Sequence, residues 1–374
     1  MLKHSDSFHG SDLEKIEQIY GIKKENIISF SANVNPLGIS DRLRRKLSAR
    51  IDVISSYPDR QYTKLREVIS SYCGTTPENI LVGNGSTELI TLFIKTISPH
   101  KAMIIGPTYS EYERELSLGG GTSLYFPLKE EDGFKLDISA LIGSLNESVD
   151  MLIICNPNNP TSSAVSRRDM RKILDACKTL DIFVLVDETY MEFAEDYDSL
   201  NCVPLTSSYN NLCLLRGISK FFAAPGLRLG YAICGDTDLM KDIAAIKDPW
   251  TINSLAEEAG QIMFTDTEYI RATKELIFSE RERVTDMLCR MPGLKVYEPK
   301  ANFVLCRITK ENVDADILFD KAIRSNMMIR NCSSFPFLDN SYFRICFMKP
   351  EDNDRLLSLI RETLTLQSHS DRVP

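Results

Sequence analysis

The stretch Gly217-Ile-Ser-Lys-Phe-Phe-Ala-Ala-Pro-Gly-Leu-Arg-Leu-Gly-Tyr231 decides how the rest of this chain is read. It sets Lys220 beside an apolar Phe221-Phe222 pair and eight positions before Arg228, which stands between Gly226 and Gly230. A lysine becomes a nucleophile toward carbonyl carbon only when desolvation or a neighbouring cation lowers its pKa. Phe221, Phe222 and Arg228 are residues of the kinds that supply both influences. A surface lysine and a surface arginine in a loop would leave the same letters, so the neighbouring motifs have to decide.

At 374 residues the chain exceeds one ordinary hydrophobic core, and a large domain with a smaller one is expected. A net charge of -8 with no Lys/Arg stripe argues against a nucleic-acid partner. The longest apolar runs are strand-sized and the start, Met1-Leu-Lys-His-Ser-Asp6, has no signal-like apolar core, so no membrane and a cytoplasmic location are expected. Ten cysteines scattered from Cys73 to Cys346 without a Cys-x-x-Cys read as free buried thiols. The four histidines, His4, His9, His100 and His369, form no cluster at zinc spacing and no Ser-His-Asp set, so metal is not expected.

Ser11-Asp-Leu-Glu14 has capping-box form, and Leu13, Ile16, Ile19 and Tyr20 follow at helical spacing, which predicts an opening helix. Beyond the turn-rich Ser31-Ala-Asn-Val-Asn-Pro-Leu-Gly38, helical segments alternate with β-branched runs at 102–105, 151–154, 182–186, 212–215 and 231–233. Near-continuous apolar strands separated by helices indicate a mostly parallel sheet covered on both faces. After Pro249-Trp250 the pattern changes to helices at roughly 252–264 and 268–290 and strands at 302–308 and 342–347. The expected division is a large domain at 41–264 and a small α+β domain built from 1–40 and 265–374.

Ligands of such sheets bind at the carboxyl ends of the strands, and several of those ends carry chemistry here. Gly83-Asn-Gly-Ser-Thr87 leads into a helix with an apolar face of Leu89, Ile90, Phe93, Ile94 and Ile97, and such a helix start suits a phosphate. A merely capped helix needs the same residues, so the phosphate reading leans on Arg228 as an added cation. Asp187 ends a buried run, where a carboxylate can pair with a protonated pyridine nitrogen; alone, it would be a helix cap. In Cys155-Asn-Pro-Asn-Asn-Pro-Thr161 the prolines fix a turn able to aim Asn159 into a cleft.

Asn-Pro-x-Asn-Pro-Thr, then Asp-x-x-Tyr, then Ser-Lys with an arginine eight residues on form an ordered set that resembles the fold-type-I pyridoxal-phosphate enzymes of the class I/II aminotransferase superfamily. The resemblance covers nearly the whole chain. It implies an α/β fold-type-I PLP-dependent transferase whose large domain has a mostly parallel sheet covered by helices, plus a smaller α+β domain. It also implies that Lys220 forms the Schiff base, Asp187 binds the pyridine nitrogen, and Asn159 with Tyr190 hydrogen-bonds the phenolic oxygen. Tyr109, in Gly106-Pro-Thr-Tyr-Ser-Glu-Tyr112, would stack on the ring. Gly85, Ser86, Thr87, Ser219 and Arg228 would cradle the cofactor at its phosphate, and Tyr57 would reach it from the partner subunit of a homodimer. Two departures stand out: Ser162 replaces the usual glycine after Asn-Pro-Thr, and Gly217 stands where relatives often place a phosphate-binding hydroxyl.

Within the superfamily, His9-Gly-Ser-Asp12, Phe30-Ser-Ala-Asn-Val-Asn-Pro-Leu-Gly38, Phe221-Phe-Ala-Ala-Pro-Gly226 and Ile329-Arg-Asn-Cys-Ser-Ser-Phe335 with the Arg344 strand resemble the threonine-phosphate decarboxylases of cobalamin biosynthesis. Histidinol-phosphate aminotransferase is the neighbouring branch. An arginine on a strand can grip an α-carboxylate in bidentate fashion, the role for Arg344, while Arg330, His9 and Asn33 are candidates for a second, distal anion. Met348 stands near where the branch often carries another arginine. The expected function is decarboxylation of a short amino acid with a terminal phosphate or phosphonate, such as threonine phosphate, serine phosphate or phosphonoalanine. Transamination of a phosphorylated substrate is the alternative, and a non-catalytic binding protein on the same fold is a third reading.

Overall fold

Residues 12–365 are described by a computed structural model. In chain order the strands are β1 (Ile28–Ser29), β2 (Ile80–Gly83), β3 (Lys101–Gly106), β4 (Thr122–Pro127), β5 (Met151–Cys155), β6 (Phe183–Asp187) and β7 (Leu212–Gly217). They continue as β8 (Gly230–Cys234), β9 (Leu294–Val296), β10 (Phe303–Ile308), β11 (Met327–Met328), β12 (Arg330–Asn331) and β13 (Tyr342–Cys346). Seven of them form one sheet in the order β2-β8-β7-β6-β5-β3-β4. All its pairings are parallel except those of β8, which is antiparallel to both β2 and β7. Every residue of β5, β7 and β8 is buried, as a sheet covered on both faces requires. The covering helices show why: in Arg167–Thr179, capped by the Ser166 hydroxyl, the buried residues Met170, Ile173, Leu174 and Cys177 recur at helical spacing. No helix among the described residues is long and apolar enough to cross a membrane.

The reversal of β8 builds the site. Because β8 opposes both neighbours, the carboxyl ends of β2 and β7 share an edge with its amino end, and Gly230 lies beside both Gly83 and Gly217. A residue just before β8 therefore joins the residues that follow the other strands. Gly230 is needed for this approach, since a Cβ there would stand 2.5 Å from the Ser86 amide nitrogen at the start of the helix Gly85–Ile97.

The strand pattern differs from the sequence reading at the sheet's two edges. β2 is only four residues long and β4 is half exposed, so neither shows the long apolar run that marks a buried strand. The opening helix runs Leu13–Tyr20 with Asp12 at its N-cap, and Ser11 lies outside the described residues.

A second sheet, β12-β13-β10-β9, is antiparallel throughout, and β1 pairs in parallel with β11. In β12 and β13, Arg330 lies directly opposite Arg344, so the two arginines share one face. The segment after β4, 129–134, clasps this sheet: Glu130 accepts from Lys295 Nζ at 2.9 Å, Tyr297 OH at 2.7 Å and Arg307 Nη1 at 2.7 Å. Burial works against its charge, yet these donors hold its pKa down to about 2.

Behind the reaction edge lies a buried ion pair. Arg216 donates to Glu188 Oε2 from Nε at 3.0 Å and Nη2 at 2.6 Å, and neither side chain has any exposure. Arg216→Met strands the Glu188 carboxylate and should cost about 3–5 kcal/mol in urea unfolding. Adding Glu188→Gln should recover a large part of that loss. Equal destabilisation in the single and double variants would contradict the pairing.

Candidate active site

The strand ends converge on a cavity of about 280 Å³. Ser86 and Thr87 enter from the helix after β2, Tyr109 and Tyr112 from beyond β3, Asn159 from beyond β5, and Asp187 from the end of β6. Ser219 and Lys220 follow β7, and Arg228 precedes β8 with a left-handed φ of 57°. Across from them the second sheet contributes Arg330 and Arg344, and the segment before the first long helices contributes Ser31, Ala32 and Asn33.

Asp187 is buried and receives three hydrogen bonds. Oδ1 accepts from the Thr189 amide at 2.9 Å and hydroxyl at 2.5 Å, and Oδ2 accepts from Tyr112 OH at 2.7 Å. Burial raises its pKa while these donors oppose the rise. Lys220 Nζ donates to the Ala32 carbonyl at 2.7 Å. Its pKa is lowered to about 8, first by burial and then by the cations Arg344 and Arg228. The Phe221 and Phe222 side chains do not line the cavity; they are buried in an aromatic cluster with Phe193 and Phe264. The cation that acts most on Lys220, Arg344, lies outside the local motif.

Arg344 is held in a fixed pose by two direct acceptors. It donates from Nη1 to Asn159 Oδ1 and from Nη2 to the Ser31 carbonyl at 2.6 Å, while its buried Nε has no partner. Arg330 donates from Nη2 to Ser334 Oγ at 2.9 Å and lies 5.2 Å from the Phe335 ring. Burial, then Arg344, lowers its pKa to about 10, with Asp12 acting in the other sense. Asn33, at φ 55°, donates to Tyr190 OH at 3.3 Å, which leaves the phenol proton free to be donated elsewhere. Asn302 donates to the Asn33 carbonyl at 3.0 Å and so ties this strip to the second sheet.

Of the residues singled out from sequence, Ser86, Thr87, Tyr109, Asn159, Asp187, Tyr190, Ser219, Lys220, Arg228, Asn33, Arg330 and Arg344 all line this cavity. Gly85 adjoins it, with a φ of 76° and the Arg228 guanidinium packed where a Cβ would stand. Tyr57 is elsewhere, 81% exposed and 5.1 Å from the Trp250 ring. His9 lies outside the described residues. Ser162 adopts φ 60°, the conformation that favours glycine, and its hydroxyl accepts from the amides of Lys300 at 3.1 Å and Ala301 at 2.9 Å. Tyr112, Thr189 and Ser334 were not singled out, although each stands in a quoted motif or beside one. Among the described residues no group of three or more His, Cys, Asp or Glu could hold a metal.

The chain belongs to the aminotransferase class I and II family, which it matches over residues 25–360. Threonine-phosphate decarboxylase of Salmonella typhimurium is 33% identical over 360 residues, covering 96% of this chain and 97% of that protein. The histidinol-phosphate aminotransferase from Clostridium acetobutylicum superposes with a TM-score of 0.84 at 32% identity, over 90% of this chain and 98% of that one. The histidinol-phosphate aminotransferase from Sinorhizobium meliloti, solved in complex with pyridoxal-5'-phosphate, shares the fold at 20% identity, with a TM-score of 0.83 over 96% and 95% of the two chains. The fold is that of the fold-type-I transferases, and the cofactor is pyridoxal 5'-phosphate.

The cavity fits such a group. Two of the residues that line it, Arg344 and Asn33, carry buried polar atoms without a protein partner, Nε and Oδ1. Asn84 makes no side-chain cap at the start of the helix Gly85–Ile97, which leaves the first-turn amides to an anion beside Arg228.

The lowered pKa of Lys220 makes a stability statement for the cofactor-free protein. Below about pH 8 the lysine is protonated in both states and the folded chain bears the full cost. Between about 8 and the ordinary 10.5 only the unfolded chain keeps the proton, so stability from this group rises with pH. The cofactor-free Lys220→Met variant should therefore be more stable than the native chain below pH 8, with the gap in urea unfolding narrowing toward pH 10.5. A gap that does not change with pH would sink the low pKa.

Proposed function

We propose that this chain is a decarboxylase of a short amino acid that carries a terminal phosphate or phosphonate, of the threonine phosphate, serine phosphate or phosphonoalanine type. One observation carries the reading: Arg330 and Arg344 stand directly opposite each other on β12 and β13 and face one cavity. Two guanidiniums side by side repel, and a ligand with two separate anionic groups relieves both. The 33% identity to the Salmonella enzyme named for threonine phosphate supports the same reaction. The Clostridium structure named for histidinol phosphate supports transamination as the second reading.

Pyridoxal phosphate, when bound, supplies a ring that accepts the electron pair released when a bond at the substrate Cα breaks. The chain's residues decide which bond that is. Arg344 Nη1 and Nη2 are committed to Asn159 and Ser31 but its Nε is free, and we assign this guanidinium to the substrate α-carboxylate. Arg330 with Ser334 is assigned to the distal anion. Asn159, whose Oδ1 is taken by Arg344, keeps its amide N–H groups for the cofactor's phenolic oxygen, and Tyr190 keeps its proton for the same atom. Asp187 is assigned to the ring nitrogen, Tyr109 to the ring face, and Gly85, Ser86, Thr87, Ser219 and Arg228 to the phosphate. When the bond from Cα to the carboxylate breaks and CO2 leaves, Lys220 Nζ returns a proton to Cα. In transamination the same nitrogen would instead remove the Cα proton.

Tyr57, exposed on the single chain beside Trp250, is assigned to the cofactor phosphate of a partner copy, which makes the working form a homodimer.

Incubating the holoenzyme with phosphothreonine, phosphoserine and phosphonoalanine should release CO2 with no keto acid required. Accumulation of pyridoxamine phosphate that a keto acid reverses would overturn decarboxylation in favour of transamination. Arg344→Gln should lower kcat/KM on the order of 10²-fold, the cost of leaving a carboxylate without its buried partner. Arg330→Gln should raise KM for the phosphorylated amino acid while leaving the weak turnover of an analogue without the distal anion unchanged. If both substrates suffer equally, Arg330 does not read that anion.

A further inference from the structure

The hydrogen bond from Tyr112 to Asp187 is not used by any step above. Tyr112 stands on the helix Glu111–Leu118, is 1% exposed, and meets the Tyr109 ring edge-on at 5.6 Å. Its phenol reaches across the sheet edge from beyond β3 to the end of β6. Asp187 Oδ1 takes both donors of Thr189, whereas Oδ2 takes Tyr112 alone. The other groups close to this carboxylate are Cys155, its register neighbour on β5, and the phenols Tyr109 and Tyr190.

We infer that Tyr112 is a positioning residue for the ring-nitrogen site, its O–H keeping Asp187 an anion so that the proton shared between Asp187 and the cofactor's ring nitrogen stays on the nitrogen. The inference rests on the proposed assignment of Asp187 to that nitrogen. In a dry pocket a carboxylate and a pyridine nitrogen compete for one proton, and the proton settles on the partner with the higher affinity. Each hydrogen bond donated to the carboxylate lowers its affinity. Burial pushes the other way, because the neutral pair is favoured out of water. Only a protonated ring withdraws electrons strongly, so the donor on Oδ2 sets how well the ring accepts the pair released at Cα.

The test uses holoenzyme loaded with ring-15N pyridoxal phosphate, with the nitrogen chemical shift read at neutral pH. Tyr112→Phe keeps the buried ring and removes one donor. It should move the shift toward the deprotonated-ring value, with the nitrogen-to-oxygen proton ratio falling about tenfold, the size expected of one hydrogen bond to a charged group. A fluorinated tyrosine at position 112, a stronger donor of nearly the same shape, should move it toward the protonated value and serves if the phenylalanine variant does not fold. A Tyr112→Phe protein with lowered thermal midpoint but an unmoved shift would make Tyr112 a packing residue and overturn the inference. Asp187→Asn separates the two assignments. If it leaves the shift at the native value, the assignment of Asp187 itself falls; if it moves the shift and both Tyr112 variants do not, only the inference about Tyr112 falls.

Discussion

Arg216 is the residue before the last of β7, and Glu188 is the residue that follows Asp187 at the end of β6. Taking both charges out of water costs several kcal/mol per ion before any compensation. Here each of the three guanidinium nitrogens has an acceptor: besides Glu188, the arginine reaches Tyr197 OH at 3.0 Å and Asn201 Oδ1 at 2.8 Å, and Glu188 also accepts from the Cys202 amide at 2.9 Å. The pair thus binds the end of β6 to the end of β7 and both to the segment 197–202. Such a clamp fixes where Asp187 leaves its strand and where the loop carrying Lys220 begins. Asn35 finishes the task from the other side, donating its amide to the Lys220 carbonyl at 3.0 Å and its side chain to the Phe221 carbonyl at 2.8 Å.

That second anchor shows how the two sheets are made to act on one cavity. The strip from Ser31 to Asn35 touches Lys220, Arg344 and Asn302 within five residues. A shift of the second sheet would therefore move the acceptor of the lysine ammonium. Ser162 adds a third tie, its hydroxyl binding two amides of the segment that leads into β10. A glycine would adopt the same φ at less cost but would offer no hydroxyl to that segment.

How much of this was legible in the sequence follows from distance along the chain. Asp187, Asn159 and Lys220 sit within a few residues of where an apolar run ends, so pattern alone places them at a strand's carboxyl end. Arg228 is legible through the glycines beside it. Contacts between distant segments were not: the Tyr112–Asp187 bond joins residues 75 apart and the Arg344–Asn159 bond residues 185 apart. β12 is two residues long, too short for any periodicity, so nothing in the letters sets Arg330 opposite Arg344. Phe221 and Phe222 pack into the core beside Lys220 rather than into the cleft, which the letters alone could not decide.

The electrostatics of the cavity bear on both proposed reactions. Among the described residues that line it, Lys220, Arg228, Arg330 and Arg344 are cations and Asp187 is the one carboxylate. Arg344 is the strongest of the charges that lower the Lys220 pKa. An α-carboxylate held on Arg344 cancels that field and raises the proton affinity of Lys220. When the carboxylate departs as neutral CO2, the field returns and the proton on Nζ becomes more acidic at the moment Cα must receive one. In transamination the carboxylate never leaves, so Lys220 keeps its raised affinity and serves better as the base that removes the Cα proton. On the proposed assignment of Arg344 to the substrate carboxylate, the same pair of residues thus suits either reaction, and what separates them is whether the anion on Arg344 stays.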